Sequence, residues 1–241
     1  MKNAVRIVSI GAAVQDVFLQ GHLFTPKKNG QALEETFELG TKNEVEKVHF
    51  STGGGATNAS VTFARAGLDS WYMGSLGNDI AAKAVLEDLS KDNVTTKLIK
   101  VSKQVGTGYS LILLAPSGER TILTYRGASS RYNITLNDFE KLPKADWFYI
   151  SSLSGDFDSL KNVVAYAVKN GIKIAINPGN KELANHHEFQ ELMPHFTVLS
   201  VNKEEIEQLF GTADMNTLLH KANAVVPYVV VTDGPHGCFV G

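Results

Sequence analysis

The residues with the greatest capacity for chemistry lie in a few short segments. Gly53, Gly54, Gly55, Ala56, Thr57 and Asn58 stand ahead of an apolar-periodic stretch. A glycine turn there lets the backbone approach a ligand closely, while free N–H groups at the helix start point outward. Asn58 adds a side chain that both donates and accepts, as hydroxyl recognition requires. The plainer reading is a flexible turn that opens a helix. Asp16 follows the first apolar run by a few residues, near the sheet edge where ligands of open α/β folds collect. Its carboxylate could accept two hydroxyl hydrogen bonds from a polyol, or it is simply a turn residue.

Asn202, Lys203, Glu204 and Glu205 carry two readings that nearly coincide in space. Asn202 as N-cap with Glu205 reaching back would make a capping box. The same pair at a strand-to-helix edge could order Mg²⁺-bound water beside a phosphate. Thr232, Asp233 and Gly234, followed by Gly237, close a strand with a tight turn that suits either a plain hairpin or the underside of a nucleotide. Arg126 ends a hairpin where a cation could meet an anion. His186 and His187 beside Glu188 lack the further ligand spacing of a metal site and read as solvated surface. The glycine spacing is not the dinucleotide fingerprint, since Asn58 stands where the third glycine should be, and no GxxxxGK[ST] phosphate loop occurs.

The elements that must position these residues follow from periodicity. Val5–Ile10 is expected to be a buried strand ending at Gly11. Residues 12–50 form a polar, strand-rich excursion broken by Pro26 and Gly30. A helix is expected from the glycine turn to about Ala66, then a strand over Trp71–Leu76. Ala82, Val85, Leu86 and Leu89 share one helix face, capped by Asn78 or Asp79. Residues 108–126 split at Pro116, Ser117 and Gly118 into a hairpin that could pair with the excursion as a small lid sheet. Further strands are expected at Trp147–Ser151, Ile172–Ile176, Phe196–Val201 and Tyr228–Thr232. Leu160, Val163, Val164, Ala167 and Val168 mark a helix stopped by Gly171, and Ile206, Leu209 and Phe210 mark another. Such alternation implies a parallel sheet covered on both faces.

With 23 Lys and Arg against 25 Asp and Glu in 241 residues, the formal charge is −2. No basic surplus exists for a nucleic-acid backbone, and 43% hydrophobic residues with 20% charged predict a packed core. The apolar runs are too short to cross a bilayer, and the start MKNAVRIVSIG lacks the core of a signal peptide. A lone cysteine, Cys238, fits a reducing compartment. A cytoplasmic protein is expected, without nucleic-acid or membrane partners.

Taken in order, these segments carry a resemblance. VRIVSIG with Asp16, then STGGGATNASVTFARAGLDSWYMGSLGND, then VLSVNKEEIEQLFG, then VVVTDGPHGCFV together resemble the ribokinase-like sugar kinases, also called the PfkB family, over essentially the full chain. The resemblance implies a three-layer α/β/α fold with a mostly parallel sheet and a small β-sheet lid, formed by strands within about 12–50 and 108–126. It implies an ATP-dependent kinase acting on a hydroxyl of a sugar, nucleoside or related polyol. Asp16, Gly54, Gly55 and Asn58 would hold that substrate. Asn202 and Glu205 would serve the Mg²⁺ and phosphate region, Glu205 through water, and Thr232, Gly234 and Gly237 would line the nucleotide. A homodimer through the lid is implied as well.

The family's second signature, a D-T-x-G-A-G-D segment supplying the general base and the anion hole, is expected a few dozen residues after the T-x-G-x-x-G strand. The sequence therefore reads as a C-terminally truncated kinase, with no catalytic base within residues 1–241. Phosphoryl transfer rests mainly on positioning and electrostatic stabilisation, so such a fragment is expected to be nearly inactive. The competing reading is a non-catalytic module that binds a sugar or nucleoside as a sensor or dimer partner.

Overall fold

Short β-branched runs separated by amphipathic stretches can bury both faces of each strand only in a helix-covered parallel sheet. The computed structural model describes residues 4–241 and has this architecture. In chain order it begins with β1 (Arg6–Ile10), β2 (Val14–Gln20), β3 (Lys27–Asn29), β4 (Ala32–Glu34) and β5 (Lys47–Gly53), followed by α1 (Gly55–Arg65) and β6 (Asp69–Leu76). Next come α2 (Ile80–Lys91), β7 (Thr95–Val101), β8 (Gly108–Leu114), β9 (Arg120–Tyr125), β10 (Trp147–Ile150) and α3 (Phe157–Asn170). The remainder is β11 (Lys173–Ile176), α4 (Asn180–Ala184), α5 (His186–Leu192), β12 (Val198–Asn202), α6 (Lys203–Phe210), α7 (Met215–Asn223), β13 (Tyr228–Thr232) and β14 (Cys238–Val240).

The main sheet runs β14-β13-β12-β11-β10-β1-β6-β7, parallel except for β14. Strand order reverses between β1 and β10, so the crevice at a topological switch point opens beside Gly11 and Ser151, the residues that follow those strands. One face of the sheet, through Val8, Ile10, Phe148, Ile150, Ile174, Leu199 and Val229, joins the apolar stripes of α3, α5, α6 and α7 in the larger core. On the other face Tyr72 and Leu76 pack with Ala56 of α1 and Ala82, Val85 and Leu89 of α2. Each fully buried Leu, Ile or Phe contributes roughly 1.5–3 kcal/mol.

Coverage of the second face is less complete than expected. Beyond β10 the alternate side chains Ala175, Val198 and Val230 are only partly buried, and Tyr228 is 59% exposed. Two stripe residues also fall outside the core: Leu86 is 37% and Val168 53% exposed. At 100° per residue, Val168 sits about 80° around α3 from Leu160, at the margin of the buried arc.

The segment after β1 does leave the main domain. Its strands β2 and β5 join the hairpin β8–β9 in a four-stranded lid sheet ordered β5-β2-β8-β9, while β3 and β4 form a separate exposed hairpin. In the sheet β2 pairs antiparallel with β5 and parallel with β8. The edge strand β9 is exposed along its whole length.

The base of the lid is fixed by Asp79. Its carboxylate caps α2 by accepting from Ala82 N at 2.9 Å, and also accepts from Thr107 N and Thr107 Oγ1, both at 2.7 Å. One side chain thereby ties a core helix to the entry of β8. Thr52 of β5 adds a bond from the lid to α2, donating to Asp88 at 2.7 Å.

Candidate active site

The glycine turn lies at the switch point and is walled by polar atoms. A β-carbon on Gly53 would overlap the Asp16 carboxylate, and one on Gly54 would lie 2.7 Å from the Ala12 carbonyl carbon. One on Gly55 would lie 3.1 Å from Ser151 Oγ. Gly54 has φ 114°, a backbone region that favours glycine. Thr57 locks the turn by donating to Gly53 O at 2.7 Å and Gly54 O at 3.0 Å. α1 begins here without a side-chain cap, so its first-turn N–H groups face the crevice as donors.

Asp16 stands on β2 directly across from Ser51 of β5 and Ser110 of β8. Partial burial pushes its carboxyl above the ordinary carboxylate range, and the Ser110 hydroxyl offsets part of that rise. A carboxylate short of solvation gains more from accepting a ligand hydroxyl than a solvated one does. Ser151 is 6% exposed, and its hydroxyl has no hydrogen-bond partner among the described residues.

Asn58 lies one turn into α1 and is exposed. It lines a groove of about 530 Å³ between α1, α2 and the lid, together with Ser51, Thr52, Arg65, Asp88 and Asp92. Asp16 is not among the residues lining that groove. Ser51, which lines it and faces Asp16 across the strand pair, is the residue between them. A cavity of about 540 Å³ at the opposite end of β1 and β6 is lined by Arg6, Asp69, Lys144 and Asp146. There Arg6 pairs with Asp69 at 2.7 Å, a structural arrangement remote from the glycine turn.

The second cluster lies on the same C-terminal sheet edge, beyond β11. Asn202 Oδ1 accepts from Glu205 N, and Glu205 Oε2 accepts from Asn202 N, each at 2.8 Å, so the capping box is formed. Thr232 sits directly beside Asn202 in the sheet register. Gly234 (φ 49°) and Gly237 (φ 92°) then turn the chain back into β14, with Asp233 N donating to Gly237 O at 2.9 Å. This turn is exposed, and neither glycine has an atom within 4 Å of where a β-carbon would stand. His187 is at the surface, while His186 Nε2 lies 2.8 Å from the Leu209 carbonyl at the end of α6. Among the described residues no cluster of three or more His, Cys, Asp or Glu could hold a metal.

Residue types and spacing gave no signal for Ser51, Ser110 or Ser151. All three reach the site through strand register, which no local spacing encodes.

Comparison with known proteins agrees with this arrangement. The description "pfkB family carbohydrate kinase" matches residues 27–241. Ribokinase of Haemophilus influenzae is 24% identical over 78% of this chain, a stretch covering 62% of that protein. Ribokinase of Staphylococcus aureus is 25% identical over 97% of this chain and 74% of its own length. Among solved structures, ribokinase from Cryptococcus neoformans in complex with ADP superposes with a TM-score of 0.72 at 21% identity, covering 99% of this chain and 76% of that one. A nucleoside kinase of Burkholderia thailandensis in complex with inosine gives 0.71 at 14% identity, covering 98% and 72%. The fold is thus ribokinase-like, and by its match over residues 27–241 the chain belongs to the pfkB family of carbohydrate kinases.

Proposed function

We propose that this chain is the substrate-gripping part of an ATP-dependent kinase that transfers the γ-phosphoryl group of ATP to a hydroxyl of a sugar, nucleoside or related polyol. The observation carrying the proposal is the desolvated Asp16 carboxylate packed against the glycine turn at the switch point. In this reading Asp16 accepts substrate hydroxyls, the N–H groups of Gly54 and Gly55 donate to the polyol, and Asn58 closes on it from the groove side as the lid moves. Relatives named ribokinase and fructokinase, and a nucleoside kinase solved with inosine, support this range of acceptors.

ATP supplies the phosphoryl group and the ADP leaving group. The edge formed by Asn202, Thr232, Gly234 and Gly237 fits a nucleotide, because its glycine turn leaves the backbone bare of side chains. Glu205 fits a Mg²⁺ held through water, since Asn202 N engages Oε2 and leaves Oε1 available. Magnesium in such sites is held by phosphates, water and one or two carboxylates rather than a protein cage. The general base and anion hole are assigned to sequence beyond Gly241, so residues 4–241 position the reactants and do not activate the hydroxyl. The partly buried outer face at Ala175, Val198 and Val230 supports a further covering element there.

Cytoplasmic location and a homodimer through the lid complete the proposal. Among the described residues no helix is long and apolar enough to cross a membrane. On the lid, Phe50, Ile122, Leu123 and Tyr125 are each at least half exposed, an apolar area and an open strand edge suited to a second copy.

The test is ATP turnover with D-ribose, D-fructose and adenosine, by this chain and by a version extended along its reading frame. Turnover restored by the extension supports the kinase. Tight sugar binding without turnover in the extended protein would favour a non-catalytic binding module.

A further inference from the structure

Glu182 is 2% exposed, and none of the chemistry above uses it. Its carboxylate faces two loops at the C-terminal edge of the sheet. Oε1 accepts from Leu153 N and Gly155 N, both at 2.8 Å, on the loop between β10 and α3. Oε2 accepts from Ser152 Oγ at 2.9 Å on the same loop and from Gly179 N at 3.0 Å on the loop between β11 and α4. A buried carboxylate is tolerated only when such donors satisfy it, and bonds to an ionised acceptor are the strong ones. Capping α4 would need the Gly179 bond alone. The other three donors serve the neighbouring loop.

That loop holds an unfavourable backbone. Ser154 has φ 60°, which residues other than glycine rarely adopt. It then extends toward the lid. Ser154 Oγ donates to Ser129 O at 3.2 Å, Ser129 Oγ donates to Ala13 O at 2.8 Å, and Ala13 N donates to Ser129 Oγ at 3.2 Å. Ala13 immediately precedes β2, the lid strand that carries Asp16. Ser129 follows β9, where the chain returns from the lid.

We propose that Glu182 is a positioning residue that clamps the loop after β10 to the loop after β11 and, through Ser154 and Ser129, fixes Ala13 and the base of the Asp16 strand. Its consequence for substrate grip rests on the polyol-kinase reading above. The clamp itself does not. A fully satisfied polar network of this kind holds a site more rigidly than packing alone.

Amide hydrogen exchange of the 241-residue chain tests the clamp, with Glu182→Gln compared against the charge-matched control Glu188→Gln on the surface of α5. An amide side chain cannot accept from all four donors. Exchange at Leu153 and Gly155 should therefore rise at least about tenfold, and exchange at Ala13 and through residues 14–20 should rise with it. A rise confined to residues 152–155 and 179, with the lid base unchanged, overturns the proposal.

Ser154→Gly suits φ 60° and removes only the link to Ser129. It should raise exchange at Ala13 while leaving Leu153 and Gly155 protected, and it decides the matter if Glu182→Gln does not fold. Unchanged exchange at Ala13 in Ser154→Gly overturns the relay. Calorimetry with D-ribose, D-fructose and adenosine supplies the functional readout: Glu182→Gln should weaken whichever probe the parent binds, and Glu188→Gln should not. If the parent binds none of the three, the polyol reading fails, and the exchange pattern still decides the clamp.

Discussion

The Asp16 carboxylate occupies the space that a β-carbon on Gly53 would need. The two residues are 37 positions apart in sequence, and only the antiparallel pairing of β2 with β5 brings them together. The glycine there is required by the carboxylate beside it, not by its own dihedral angles.

The burial that raises the Asp16 pKa fixes a sign for stability. A carboxyl whose folded pKa lies above its unfolded value of 3.8 binds its proton more tightly in the folded state. Stability therefore falls as pH rises from the unfolded to the folded pKa, and the penalty stays constant above that window. Asp16→Asn should thus melt higher than the parent at pH 7, with the gain vanishing below about pH 4, while polyol affinity falls. Thermal melts across pH, with calorimetry at pH 7, check both. A variant that loses stability at neutral pH and binds as the parent does would remove Asp16 from the site.

Gly53→Ala and Gly54→Ala should separate site from scaffold. At Gly53 the overlapping atom is the tip of a side chain, which can swing away, so the fold should survive while polyol binding falls. At Gly54 the new methyl would meet the Ala12 and Ala13 backbone at 2.7 and 2.8 Å, with φ at 114°. That change should cost about 1–3 kcal/mol or more, read as a drop in the urea midpoint. Equal destabilisation by both would contradict the distinction.

Glu205 combines a cap with a proposed role beside the nucleotide. Glu205→Ala loses the bond from Asn202 N and should cost about 1 kcal/mol of stability. Glu205→Gln keeps an acceptor and should fold as stably as the parent, yet bind MgATP more weakly because the charge is gone. Unaltered MgATP affinity in Glu205→Gln would leave the capping box as its whole function.

Asp79→Ala should loosen the joint between α2 and the lid. Burial alone would raise this carboxyl, but the Thr107 hydroxyl and amide and the Ala82 amide hold it below the ordinary range. Its contribution is therefore present above the unfolded pKa of 3.8 and is lost as pH falls through the folded value. The variant should lose about 1–2 kcal/mol at pH 7, and the gap to the parent should narrow in acid. A gap that widens on acidification would show that the carboxylate is not the stabilising form.

Much of the fold was legible because it rests on local pattern. Ile174 and Ile176 in a short β-branched run, Asp79 ahead of an apolar stripe and Gly171 after one each state their element without reference to distant residues, and each takes that place. Val168 and Leu86 fell outside the core because a stripe has edges, and how far around a helix the buried arc reaches depends on the neighbouring elements. The strand Thr95–Val101 carried too weak an alternation to stand out, and it forms as the outermost strand beside β6.

The sequence by itself determined the order of strands and helices, the glycine turn before α1 and the capping box at Asn202, since all of these are set by neighbours a few residues away. Only the tertiary structure decided that Asp16 meets Gly53 and Ser110, that Asn58 opens toward Ser51 and Thr52, and that Glu182 lies buried between two loops. Strand register and helix docking are chosen by the burial of the whole chain at once, and so no short stretch of residues encodes them.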